Sequence, residues 1–245
     1  MLEFERLVFV LDRDAHEFIR PEPLDLTFEG FASEAFAILE RLRHQPHIEQ
    51  YRKEKEVIDQ YLIAPFKRYR DDLVVNWVLP NRLDFETEKN VFSRLLKNDF
   101  GAGGCHHHLW MSFYRPGWRR LTDVQLSHSI TPDGFEVGLF VGGYAKDLIK
   151  NARTSIQASP TEFLSLLLSL GHGTFYFAYG SGKGRVRRKI DLPLASLPDN
   201  LGKSDAIWIR RSFGRADVVA WKSELVRQAL ETLRVLWPIY QFVLR

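Results

Sequence analysis

Val124-Gln125-Leu126-Ser127-His128-Ser129-Ile130-Thr131-Pro132-Asp133-Gly134-Phe135-Glu136-Val137-Gly138-Leu139-Phe140-Val141 decides the fold class. Val124, Leu126, His128 and Ile130 alternate with polar residues, Phe135, Val137, Leu139 and Val141 recur at the same spacing, and period two is the signature of strands with one buried face. Thr131-Pro132-Asp133-Gly134 separates the runs, and its proline and glycine suit the central positions of a turn. Upstream, Leu109, Met111 and Phe113 share one face of a further strand. The three runs therefore predict an antiparallel meander.

Working outward, Phe4 to Leu11 reads as a strand, and Ser33 as the N-cap of a helix carrying Ala35, Phe36, Ile38, Leu39 and Leu42. Tyr51, Ile58, Leu62 and Phe66 continue a helical stripe that Pro65 should kink or divide. Asp84 with Phe85, Val91, Phe92, Leu95 and Leu96 predicts another helix, with Glu86 and Glu88 in its first turn. After the meander come helices from Ala145 to about residue 156 and from Ser159-Pro160, with Glu162 in the latter's first turn. Strands are expected at Thr174 to Tyr179, Arg185 to Ile190 and Ala206 to Phe213, then a closing amphipathic helix with Leu225, Leu230, Leu233 and Leu236. Helices segregated from an antiparallel sheet define an α+β fold. The expectation is one α+β domain over residues 1–245, its first hundred residues mainly helical and acidic and the remainder sheet-rich and basic. A chain of 245 residues with 45% hydrophobic residues buries roughly 70–75% of its unfolded surface, so it needs neither disulfide nor metal to fold. The single Cys105 excludes an intramolecular disulfide. The uncharged stretch Phe163 to Gly182 changes period at Gly171-His172-Gly173, which makes it a helix and a strand, so no membrane partner is expected. The opening MLEFERLVFV carries acidic residues where a secretory signal has basic ones, and a cytoplasmic location is expected.

Phe28-Glu29-Gly30-Phe31, the Ala64-Pro65 step, Ile130-Thr131-Pro132-Asp133-Gly134 leading to Gly138-Leu139-Phe140, then Asp147-Leu148, Arg153, Ile156 and Phe163, and the closing Leu236-Trp237-Pro238-Ile239-Tyr240 with Phe242 resemble a widespread bacterial family of conserved hypothetical proteins, a domain of unknown function. The similarity spans about residues 28–245. That family's polar Arg-Asp-x-Arg-Phe segment is not found here, and Asn98-Asp99-Phe100 with the histidine run occupies its place. The resemblance implies a fold and carries no activity.

Charge is the strongest polar signal. Residues 1–100 hold 15 Lys/Arg and 20 Asp/Glu, whereas residues 101–245 hold 19 and 11. Between Lys183 and Arg215 stand nine cations (Lys183, Arg185, Arg187, Arg188, Lys189, Lys203, Arg210, Arg211 and Arg215) against Asp191, Asp199 and Asp205. Such a stretch attracts polyanions by its field and by counterion release. The alternative is a solvated face paired with the acidic half. Gly180-Ser181-Gly182-Lys183-Gly184 lacks phosphate-loop spacing and reads as a hairpin, with Arg185, Arg187 and Lys189 on one strand face. Arg210 and Arg211 should point to opposite faces. Trp118-Arg119-Arg120 supplies an aromatic platform with cations, the combination that holds single-stranded nucleic acid, or an exposed hairpin tip.

Cys105-His106-His107-His108 is the most unusual local sequence. Alternation puts Cys105 and His107 on the face of Leu109, and His106 and His108 on that of Trp110, Ser112 and Tyr114. His106 and His108, with His128 from the neighbouring strand, are candidate ligands for a divalent metal such as zinc, although no metalloenzyme spacing occurs. Cys105 as a nucleophile needs a histidine base in reach; otherwise it is a small buried hydrophobe. No paired carboxylates, nuclease-type strand or G-x-S-x-G motif is present. The chain therefore reads as a binding module for an anionic partner, nucleic acid first. A metal-dependent enzyme and a protein-interaction subunit are the alternatives.

Overall fold

The structure, a computed structural model, describes residues 14–171, 175–180 and 187–245. The expected strand at Phe4 to Leu11 lies outside them. Six strands, β1 (Leu109–Phe113), β2 (Gln125–Thr131), β3 (Gly134–Gly142), β4 (Phe175–Gly180), β5 (Arg187–Asp191) and β6 (Ala206–Gly214), form one antiparallel sheet ordered β1-β2-β3-β6-β4-β5. The meander is present, with Met111 opposite His128 and His128 opposite Val137. In its hairpin Thr131 pairs with Gly134, so Pro132 and Asp133, rather than proline and glycine, are the central residues.

Helices cover one face of this sheet. They are α1 (Ser33–His44), α2 (Ile48–Lys53), α3 (residues 55–78), α4 (Lys146–Ala158), α5 (Pro160–Leu168), α6 (Arg215–Trp221) and α7 (Glu224–Leu244). The apolar residues of α1 are buried at helical spacing, although Ala32, not Ser33, is its N-cap. Of the kink or division expected at Pro65, the division does not occur. A π turn over Asp59–Ile63 precedes the proline and widens the helix, relieving the clash of the ring with the preceding turn, so α3 runs on to a second π turn at Val74–Val78. Helix α7 has one apolar stripe at first, but from Leu236 onward Trp237, Ile239, Tyr240, Phe242 and Val243 are all buried. Trp237 packs edge-on against Phe18 and Trp77, and Phe66 and Tyr69 of α3 meet Phe135 of β3.

The helix expected from Asp84 is absent. Residues 86–97 run beside β1, interrupted by a turn at residues 88–90, with Glu86, Phe92 and Leu96 bridging to Tyr114, Met111 and Cys105. Ser112 N donates to Val91 O and Ser93 N to Trp110 O, so backbone groups of β1 that an edge strand would expose are paired here. The Glu86 carboxylate receives the backbone N–H groups of Glu88 and Lys89, closing a turn instead of opening a helix.

The Phe28-Glu29-Gly30-Phe31 segment enters the core. Both phenylalanines are buried, their rings 5.1 Å apart, and Phe28 lies against Tyr69. Asp72 of α3 holds the approach, accepting from Thr27 N, Thr27 Oγ1 and Phe28 N. Gly30 has φ +108°, and a Cβ there would lie 2.5 Å from Lys222 Cα. Gly30→Ala therefore combines a strained backbone with overpacking, and is expected to lower the unfolding free energy by roughly 1–3 kcal/mol in urea denaturation.

Candidate anion-binding cleft

On the face away from the helices, alternation leaves Trp110 and Ser112 of β1, Gln125, Ser127 and Ser129 of β2, Glu136 and Phe140 of β3, and Trp208 and Arg210 of β6. The chain between β1 and β2 folds back over the first of these. Its two ends are clamped by a buried ion pair: Asp123 accepts from Arg115 N at 2.8 Å and from Arg115 Nε at 3.0 Å. Arg115 also lies 4.5 Å from the centre of the Trp118 ring, and Arg120 lies 4.3 Å from that of Trp110.

A cleft of about 770 Å³ opens between this loop, residues 90–98 and Tyr144. Its lining includes Trp110, Trp118, Tyr114 and Tyr144, with Trp118 41% and Tyr144 73% exposed. Among the described residues of its lining, the ionisable ones besides tyrosine are Arg94, Arg119, Arg120 and His106, and none is a carboxylate. Among the described residues, Nε and Nη1 of Arg120 are buried without a hydrogen-bond partner. Burial pushes the Arg120 guanidinium below its ordinary value, and Arg94 adds a like charge. Burial likewise lowers His106, with Lys97 and His107 contributing. An enclosed guanidinium beside a second one, with no counter-ion among the described residues, is an environment an incoming anion relieves.

The basic stretch from Lys183 to Arg215 is taken apart by the sheet. Lys183 and Arg185 lie outside the described residues. Arg187 opens β5 opposite Gly180, Arg188 is exposed in the register position of Tyr179, and Lys189 sits 4.2 Å from the centre of the Tyr176 ring. Arg210 is on the open face, paired with Glu136 at 2.9 Å. Arg211 points to the helices, reaching Thr232 of α7 and the Phe213 ring. Arg215 begins α6 and contacts Ser33 O and Phe36. Sequence reading placed Trp118, Arg119 and Arg120 correctly in a loop between strands and missed Arg94, Trp110, Tyr114 and Tyr144. Trp110 could have been found, because alternation put it on the face of His106 and His108. Arg94 could not, because its segment carried a helical pattern.

The three candidate metal ligands do not converge. His106 and His108 have ring centroids 5.0 Å apart, His106 in the cleft and His108 in the neighbouring trough, whereas His128 is buried on the helix-facing side with Nδ1 2.9 Å from Tyr69 Oη. No group of three or more His, Cys, Asp or Glu among the described residues is arranged to hold a metal ion. Cys105 is buried in the core, and burial pushes its thiol up, against a nucleophilic role. No helix among the described residues is long and apolar enough to cross a membrane. Compared with protein-family models and with curated proteins, the chain matches none of them.

Two outcomes follow from these surroundings. Burial holds the His128 imidazole at about 3, down from 6.5. The unfolded imidazole takes up its proton below 6.5 and the folded one only near 3, so the unfolded state binds more protons between these values and acid favours unfolding. Stability is expected to fall by up to about 1.4 kcal/mol per pH unit across that window, and His128→Asn to flatten the slope, in urea denaturation at a series of pH values. Asp123→Ala leaves Arg115 buried and unpaired, so a loss of about 3–5 kcal/mol is expected, with reddened Trp118 fluorescence as the loop loosens.

Proposed function

We propose that the protein binds single-stranded nucleic acid in this cleft, with phosphates at Arg94, Arg119 and Arg120 and bases against the exposed aromatic rings. The observation that carries the reading is Arg120, whose guanidinium is enclosed against Trp110 and which, among the described residues, has two unpartnered nitrogens and a cleft lining with cations and no carboxylate. Aromatic faces next to phosphate-binding cations are the general means of holding unpaired strands, because every base has a face to stack and every nucleotide a charge to neutralise. Arg115 beneath Trp118 and Arg120 against Trp110 stiffen two of the rings by cation–π contact. The basic stretch from Lys183 onward has a secondary place in this reading, since Arg210 is neutralised by Glu136 and Arg211 faces the helices.

Fluorescence anisotropy with single- and double-stranded oligonucleotides at two salt concentrations tests it. Single strands are expected to bind in a salt-sensitive manner. Arg119→Ala should reduce the salt slope by about 0.7 for the phosphate contact it removes, and Trp118→Ala should weaken binding by about 1–3 kcal/mol. Arg188→Ala, remote from the cleft lining, is expected to change little. No binding at low salt, or binding indifferent to Arg119 and Trp118, would overturn the assignment.

A further inference from the structure

Beyond Trp110 the cleft meets a second cavity, a trough of about 330 Å³ on the open face of the sheet, and Trp110 and Leu121 line both. The trough differs in chemistry from the cleft. Its floor is Gln125, Ser127 and Ser129, and Phe140 and Trp208, with rings 5.0 Å apart, stand at its side. The one carboxylate among its described lining residues, Glu136, is already held by Arg210 Nη1 at 2.9 Å, Tyr176 Oη at 2.9 Å and Ser212 Oγ at 3.4 Å, so the pair leaves little net charge.

Polar residues on the uncovered face of an antiparallel sheet ordinarily stand in water. Here Gln125, Ser127 and Ser129 of the trough are 2, 5 and 7% exposed. Gln125 Nε2 and Arg210 Nε are buried with no hydrogen-bond partner among the described residues. Native proteins leave few such groups unsatisfied, and two on residues lining one trough call for a ligand or water to satisfy them. Hydroxyls and amides without net charge, beside aromatic rings, suit a hydroxyl-bearing sugar better than a phosphate.

Resting on the reading of the cleft, we propose that a bound strand continues past Trp110 and places ribose hydroxyls in the trough, so that the ligand is RNA rather than DNA. The 2′-hydroxyl, both donor and acceptor, is the group by which a protein tells the two apart, and Gln125 Nε2 and the serine hydroxyls are of the type that would read it.

Anisotropy titrations of the full chain with ribo- and deoxyribo-oligoadenylate of equal length test this, since the base is the same in both. The ribo strand is expected to bind about three- to tenfold more tightly, the effect of one or two neutral hydrogen bonds. Gln125→Ala, and separately Ser129→Ala in case the former unfolds, should bring the ribo strand to about the affinity of the deoxyribo strand, with thermal melting as the check on folding. Equal affinity of the two strands, or tighter binding of the deoxyribo strand, would overturn the inference and leave the cleft assignment standing. Failure of both strands to bind would overturn both.

Discussion

The alternation of side chains along β1, β2, β3 and β6 governs everything else in this molecule. One register sends Leu109, Met111, Phe113, Leu126, Ile130, Val137 and Ile209 under α3 and α7, and leaves Trp110, Ser112, Gln125, Ser129, Glu136 and Arg210 on the other side. A slip of one residue would exchange the two sets, exposing the apolar face and burying Arg210 with Glu136 beneath the helices. The register is therefore fixed by the core, and the composition of the open face comes with it. His128 shows how strict the division is. It occupies a core position, and the core accepts it only as a neutral imidazole tied to Tyr69.

On this sheet the loop between β1 and β2 is the element that turns a surface into a cleft. Its ends are held by a pair of charges taken out of water, which is stabilising only because Asp123 meets Arg115 through both backbone and guanidinium donors. Within that clamp Arg120 is directed back onto Trp110 rather than outward. A guanidinium tolerates such a place better than an ammonium, because it is more weakly hydrated and stacks on an aromatic face. It remains a desolvated cation with Arg94 nearby, and an anion in the cleft lowers the energy of both.

Much of the fold was legible in the sequence because its strongest signals were periodic. Leu109 to Phe113, Val124 to Ile130 and Phe135 to Val141 carried a period of two, and Ala35 to Leu42 a helical spacing, and these elements formed as read. The errors occurred where one pattern had two physical solutions. Phe85, Val91, Phe92, Leu95 and Leu96 are spaced as a helix requires, yet the unpaired edge of β1 offered this segment hydrogen bonds and it became a fringe on the sheet. That substitution hid Arg94 from the site. Pro65 was legible as a helix disturbance, but whether a helix breaks or widens depends on the tertiary contacts of its two halves, here those of Leu62 and Phe66 in a shared core.

The candidate site illustrates why charge density along a chain and charge density in space differ. The richest basic stretch, from Lys183 to Arg215, crosses strands, and each strand distributes successive residues to opposite faces, so Arg210 meets a carboxylate while Arg211 meets a helix. The cleft instead gathers Arg94, Arg119 and Arg120 from two connecting segments that are apart in sequence. Among the described residues Asp and Glu are absent from its lining, so its arginines are not paired there, and the walls of tryptophan and tyrosine strengthen their field. Among the described residues it is this lack of lining carboxylates that separates the cleft from the ion-paired faces elsewhere on the protein.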